Sequence, residues 1–262
     1  MKLEFPGDLS ARRIACFKDR QYFHNPEKMR VFRRRPIIQG LDIMTQMLGR
    51  LTEVIGVGFS VQFCNPIAGG DSVVAEITSE GFLKAEGPAG DILSREEQAM
   101  LLTDPVVIED RPHYPYKFKL DDSLGEYRNL LGFEIEEDKL RYLLAIGAHS
   151  GALVHRFSRF DDPVYEGVND GDVNGYFHEM RERNFYPLFL DIRVATSGES
   201  VEEGAVLEFG TLFDSEVGRK RYGKVTVFCR SAGKSIFRTD VQFMMLSTEV
   251  INRRYSKPLE VA

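Results

Sequence analysis

Residues 36–77 read PIIQGLDIMTQMLGRLTEVIGVGFSVQFCNPIAGGDSVVAEI, and this stretch decides the fold. Apolar side chains fall at Ile37, Leu41, Met44, Leu48, Leu51 and Ile55, in steps of three and four, which is the period of a helix. Ile38, Ile43, Met47 and Val54 widen the stripe until the helix is apolar on most sides, as in a buried helix. Pro36 suits its first turn. A strand pattern then begins. Phe59, Val61 and Phe63 alternate, Asn65-Pro66 and Gly69-Gly70-Asp71 form a turn, and 73–77 is a second strand. A helix apolar all round, followed by half-buried strands, implies an antiparallel sheet wrapped around that helix.

The pattern recurs. Residues 140–157 are helical in period, with Leu140, Leu143, Leu144, Ala148, Gly151 and Val154 on one face, whose small residues permit close packing against another element. Strands are expected over 188–194, 205–213, 223–230 and 235–246, with Gly233 marking the last hairpin turn. A weaker candidate in the first half covers 92–102. Gly70 before Val73-Val74 matches Gly204 before Val206-Leu207, and the two glycines are 134 residues apart, about half the chain. The expectation is an α+β chain with a duplicated unit: a first unit over 1–104, a proline-bearing linker over 105–128 with one short strand at 116–120, a second unit over 129–250 and a tail over 251–262.

Composition narrows the function. Of 262 residues, 43% are apolar and 28% charged, enough for a globular core. Acidic residues outnumber basic ones, 40 to 34, which argues against a nucleic-acid partner. The three cysteines, Cys16, Cys64 and Cys229, are widely spaced and support neither a disulfide framework nor a zinc cage. No apolar run is long enough to span a membrane, and the first residues lack the core of a signal peptide, so a cytoplasmic protein is expected. There is no Gly-rich phosphate loop and no G-x-S-x-G elbow. His178-Glu179 lacks companion metal ligands, and Asp170-Gly171-Asp172 lacks the glutamate that closes a calcium loop. No metal and no cofactor is expected.

The chemistry-bearing candidate is Asp19-Arg20-Gln21-Tyr22-Phe23-His24. An Asp–x4–His spacing alone says little, since about 0.3 such pairs arise by chance in this composition. Its place says more: it lies sixteen residues ahead of Gly40, at the mouth of the buried helix, and Pro66-x-x-x-Gly70-Asp71 follows that helix. A carboxylate and an imidazole that share one water can act as base and acid. On the bland reading, His24 ahead of Asn25-Pro26 is a turn histidine and Asp19 pairs with a nearby arginine.

In this order the three motifs resemble the MaoC-like hot-dog hydratases and dehydratases. Their pattern is a D-x-N-P-x-H loop, a His-Gly helix start after two apolar residues, and R-F-x-x-P-V-x-P-G-D. Here Gln21 replaces the asparagine and Gln39 replaces the histidine before Gly40. The detailed resemblance covers residues 10–80. It implies a double hot dog, in which two helix-wrapping units form one sheet and an acyl thioester binds between them. It also implies hydration of a 2-enoyl thioester or the reverse dehydration. Asp19 and His24 would be the acid/base pair, and the Gly40 N–H at the helix start would stabilise the developing enolate. Gln21, Phe23, Gln39, Met44 and Phe63 would line the substrate site.

Lys28, Arg30, Arg33, Arg34 and Arg35 form a cationic run in an acidic chain. It suits the phosphates of coenzyme A, the acidic face of an acyl carrier protein, or simply a solvated loop. His149, on the second helix, is either a core histidine or a reserve catalytic group. The alternatives to a hydratase are a thioesterase on the same scaffold and a decayed site that only binds acyl thioesters. A homodimer is compatible with each.

Overall fold

The structure, a computed structural model, describes residues 1–6, 9–19, 21–51, 53–77, 79, 83–88, 90–97, 116–158, 182–213, 222–255 and 258. The first unit runs β1 (Lys2–Glu4), α1 (Ser10–Phe17), a 3-10 turn (Tyr22–His24), α2 (Pro26–Val31), α3 (Gly40–Leu51), β2 (Gly58–Phe63), β3 (Ser72–Ile77), β4 (Leu83–Gly87) and β5 (Gly90–Glu97). The second runs β6 (Tyr116–Lys119), α4 (Asp121–Leu131), α5 (Glu137–Ser158), β7 (Phe185–Thr196), β8 (Val206–Phe213), β9 (Tyr222–Ser231) and β10 (Lys234–Ser247).

The ten strands among the described residues form one antiparallel sheet in the order β1-β3-β4-β5-β2-β7-β10-β9-β8-β6. Outward from the β2–β7 junction, each half repeats one plan: the first strand after the central helix, then the last, the third, the second, and finally the strand that precedes the helices. The duplication read from the glycines is therefore structural. Gly70 and Gly204 each lead into the equivalent strands β3 and β8, with φ of 91° and 72°. Helices α3 and α5 pack against each other inside this sheet, and Met44, Met47 and Leu48 join Leu143, Leu144 and Ala148 in one core. Burial of that size is the main source of stability.

One difference between the units bears on the site. Between α4 and α5 the second chain half uses only Gly132–Glu136, whereas the first half inserts the 3-10 turn and α2 between α1 and α3.

Several expectations need correction. Helix α3 starts at Gly40, not Ile37. Ile37 and Ile38 run extended, with the Ile37 N–H donating to Phe23 O (2.7 Å) and the Ile38 N–H to Ile67 O (2.8 Å). Apolar periodicity cannot see such non-local hydrogen bonds. The expected linker over 105–128 contains β6 and most of α4. Those elements occupy the places of β1 and α1, so the second unit begins by Tyr116; residues 105–115 lie outside the described residues. The acidic first turn of α4 and a left-handed Gly132 (φ 69°) after its end are helix signals that the prolines obscured. Residues 251–255 are no loose tail. They form a turn whose Ile251 is buried against Phe23 and Met29. The strand expected over 92–102 is β5 as far as Glu97; Asp170-Gly171-Asp172 and His178-Glu179 are outside the described residues. No helix among the described residues is long and apolar enough to cross a membrane.

Candidate active site

Asp19 stands just past the end of α1. Lys18 adopts a left-handed conformation (φ 58°) and closes the helix, and the Asp19 N–H donates to Ile14 O (3.2 Å). The small-residue face of α5 receives this corner. A methyl group added at Gly147 would strike the Phe17 ring, and one at Gly151 would meet Phe17 O at 2.5 Å. The close packing expected of that face thus fixes the carboxylate against the second unit.

The Asp19 carboxylate is 2% exposed. Its Oδ1 accepts the Gln21 N–H at 2.9 Å, and its Oδ2 accepts Gln39 Nε2–H at 2.6 Å. The Gln39 amide also donates to Ser150 Oγ on α5 (2.6 Å), which in turn donates to Gly147 O (3.1 Å). His24 ends the 3-10 turn, 6% exposed, with its Nε2 3.7 Å from Asp19 Oδ2 and its Nδ1 2.7 Å from Ile37 O. A carbonyl only accepts, so Nδ1 carries hydrogen. Burial pushes the Asp19 carboxyl above the usual carboxylate range, against the opposing pull of His24 and of its hydrogen bonds. The arginine pairing considered for Asp19 does not occur among the described residues. Arg13 instead binds Asp42 at 3.0 Å.

Beside the pair lies a cavity of about 120 Å³. Gln21, Phe23, His24, Gln39, Gly40 and Phe63 contribute to its wall from the first unit, and Leu188, Phe189 and Met244 from the second, so it sits at the junction of the units. The wall is apolar apart from a few groups. The Oε1 atoms of Gln21 and Gln39 are buried there without a hydrogen-bond partner. Gly40 opens α3, in the turn where N–H groups have no helical acceptor. A Cβ at Gly40 would meet the Phe63 ring at 2.5 Å, so the glycine lets that ring cover the helix start.

Neither a family profile nor a curated protein matches this chain in sequence. Solved structures do. A MaoC-like dehydratase superposes with a TM-score of 0.52 at 13% identity, covering 94% of this chain and 95% of that one. The fold is a double hot dog. A Mycobacterium tuberculosis protein described as a double hot dog aligns over 94% of both chains (11% identity, TM-score 0.47). An acyl-CoA thioesterase II from Mycobacterium marinum aligns over 79% of this chain and 89% of that one (11%, 0.47). At such identities the likeness concerns the fold.

Within this double hot dog, Asp19, Gln21, Phe23, His24, Gln39, Gly40 and Phe63 come together. Asp19 itself lies one layer behind the cavity wall, with His24 and Gln39 in front of it. Met44 does not line the cavity; it is fully buried in the main core, because a helix apolar all round gives no sign of which face meets a ligand. Arg33, Arg34 and Arg35 do not line it either. Arg35 is tied to Asp71 of the Gly-Gly-Asp turn at 2.8 Å, and Arg34 forms a backbone bridge with Pro258. His149 is fully buried between Phe237 and the wall residue Phe189 and does not itself line the cavity. Ser150 went unnoticed in the sequence, since nothing local distinguishes a serine on a small-residue helix face. Among the described residues no group of three or more His, Cys, Asp or Glu could hold a metal ion.

Proposed function

We propose that this protein hydrates a 2-enoyl thioester, or dehydrates the corresponding 3-hydroxyacyl thioester, at the cavity between the two units. The observation that carries this reading is the buried His24–Asp19 pair beside the first-turn amide of Gly40. In hydration, the oxygen of water bonds to the β-carbon and a proton reaches the α-carbon, through an enolate on the thioester oxygen. His24 Nε2 is the nitrogen free to exchange protons, because Nδ1 is committed to Ile37 O. Asp19, held by Gln21 and Gln39, sits where it can share that proton. The Gly40 N–H and the helix dipole favour the enolate oxygen. The substrate is carried on coenzyme A or on an acyl carrier protein.

A thioesterase is the second reading. It is favoured by the glutamine that bridges Asp19 and Ser150, since a carboxylate held by an amide can direct water at a thioester carbonyl. It leaves the His24 contact with the cavity unused, which is why hydration is preferred. Crotonyl-coenzyme A separates them: loss of the enoyl absorbance reports hydration, whereas free thiol with the double bond intact reports hydrolysis. Equal rates in the wild type, Asp19→Asn and His24→Ala would overturn both.

A further inference from the structure

The segment that the first unit inserts, α2 and the turn after it, connects two wall residues of the cavity, His24 and Ile37. Its Met29 is buried against Ile251, so the turn over Ile251–Tyr255 lies alongside it, and Tyr255 of that turn also lines the cavity. Residues more than 200 positions apart therefore build one rim. That rim is cationic: Lys28, Arg30, Arg33, Arg34, Arg253 and Arg254 are at least partly exposed, and among the described residues none has a carboxylate partner. On these two segments Glu27 alone opposes them, and Glu249 lies just ahead of the second. At the centre of the inserted segment Val31 is 80% exposed and Phe32 44%. Exposed apolar side chains on a segment whose cations have no carboxylate partner among the described residues, in a chain of net charge −6, are a local reversal that solubility alone does not require.

We infer that this rim docks an acidic protein that carries the acyl thioester, with apolar side chains of the carrier seated on Val31 and Phe32. The inference rests on the acyl-thioester reading of the cavity. A protein carrier fits better than the phosphates of a free nucleotide for a geometric reason. Phosphates are held by donors that converge in a concavity, whereas these cations are spread over two segments, α2 with its following turn and Ile251–Tyr255, the first of which also exposes Val31. Spread charges steer encounter and orient a partner of opposite charge.

The test compares the wild type with Arg30→Glu/Arg254→Glu and with Val31→Asp. Each is assayed with crotonyl-acyl carrier protein, crotonyl-coenzyme A and crotonyl-N-acetylcysteamine, and titrated with the fluorescently labelled carrier by anisotropy at low and high salt. The expected result is a loss of tenfold or more in kcat/KM on the carrier-linked substrate, with less than a twofold change on the N-acetylcysteamine thioester. Carrier binding should weaken with salt and be reduced in both variants. An equal loss on coenzyme A and on the carrier would make the rim a phosphate site and overturn the inference, as would unchanged carrier turnover. Anisotropy needs no catalysis. If the wild type turned over no thioester, carrier binding lost in both variants would still support docking while the proposed reaction failed; absence of binding would sink the docking itself.

Discussion

The His24 imidazole is pinned to the backbone of Ile37: its Nδ1–H points at the Ile37 carbonyl oxygen across 2.7 Å. The contact sets the tautomer and leaves Nε2 directed toward Asp19. Replacing His24 by alanine removes the proton-exchanging nitrogen, and the expected fall in kcat is about a hundred- to ten-thousand-fold. Asp19→Asn keeps the shape and should fall into the same range. Spectrophotometric rates with crotonyl-coenzyme A measure both, and the double variant should be no worse than the poorer single one if the residues act as a unit.

Gly40 and Phe63 form a second testable pair. Gly40→Ala pushes a methyl group into the Phe63 ring, and overpacking of this kind costs about 1–3 kcal/mol. The ring also lines the cavity, so its displacement should raise KM. Adding Phe63→Leu should restore much of the stability, seen as recovery of the thermal midpoint. A double variant as unstable as Gly40→Ala would disprove the steric account.

Cys64 reports on occupancy of the cavity without assuming a reaction. It lies on the cavity wall and is exposed, whereas Cys16 and Cys229 are buried. Burial pushes the Cys16 thiol up to about 12 and the Cys229 thiol well above its ordinary value, and both stay unreactive. Iodoacetamide should therefore modify one site, Cys64, in the native protein. A saturated, non-reacting thioester such as butyryl-coenzyme A should slow that modification, as followed by intact-mass spectrometry. A rate indifferent to the thioester would place the acyl group elsewhere.

His149 makes stability depend on pH. The side chain is enclosed by Phe189 and Phe237; the Ile146 carbonyl one turn back acts on it without a well-formed hydrogen bond. Burial lowers its pKa to about 4. The unfolded chain takes up a proton near pH 6.5 and the folded one only near 4, so this residue's contribution is present above pH 6.5 and is lost as pH falls toward 4. The loss amounts to about 3 kcal/mol. In urea titrations at pH 7 and pH 4, His149→Phe should lose less stability on acidification than the wild type by about that amount. Parallel losses would show that His149 is not held neutral.

The central helices were legible because their signal is local. Steps of three and four report burial on most sides of α3 and on one face of α5, whatever they pack against. Asp19 and His24 were legible together because four residues separate them on one loop. The β7 to β10 strands followed from alternation, and Gly70 and Gly204 from the turns that require them. Helix α4 was hidden by the prolines before it. Met44 was misplaced because a helix buried all round has no face that sequence can assign to a ligand.

By itself, then, the sequence determined a duplicated, helix-centred α+β scaffold and a carboxylate and imidazole carried ahead of the first central helix. Periodicity and short loops encode such features within about twenty residues of chain. Tertiary structure alone decided that Ser150 joins Gln39 and Asp19, that Arg35 is spent on Asp71, that Asp19 stands behind the wall rather than in it, and that Ile251, in the turn that carries Arg253 and Arg254, shares a buried cluster with Met29 of α2. These relationships depend on which surfaces the sheet brings together, and contacts between residues far apart in the chain leave no periodic trace in either segment.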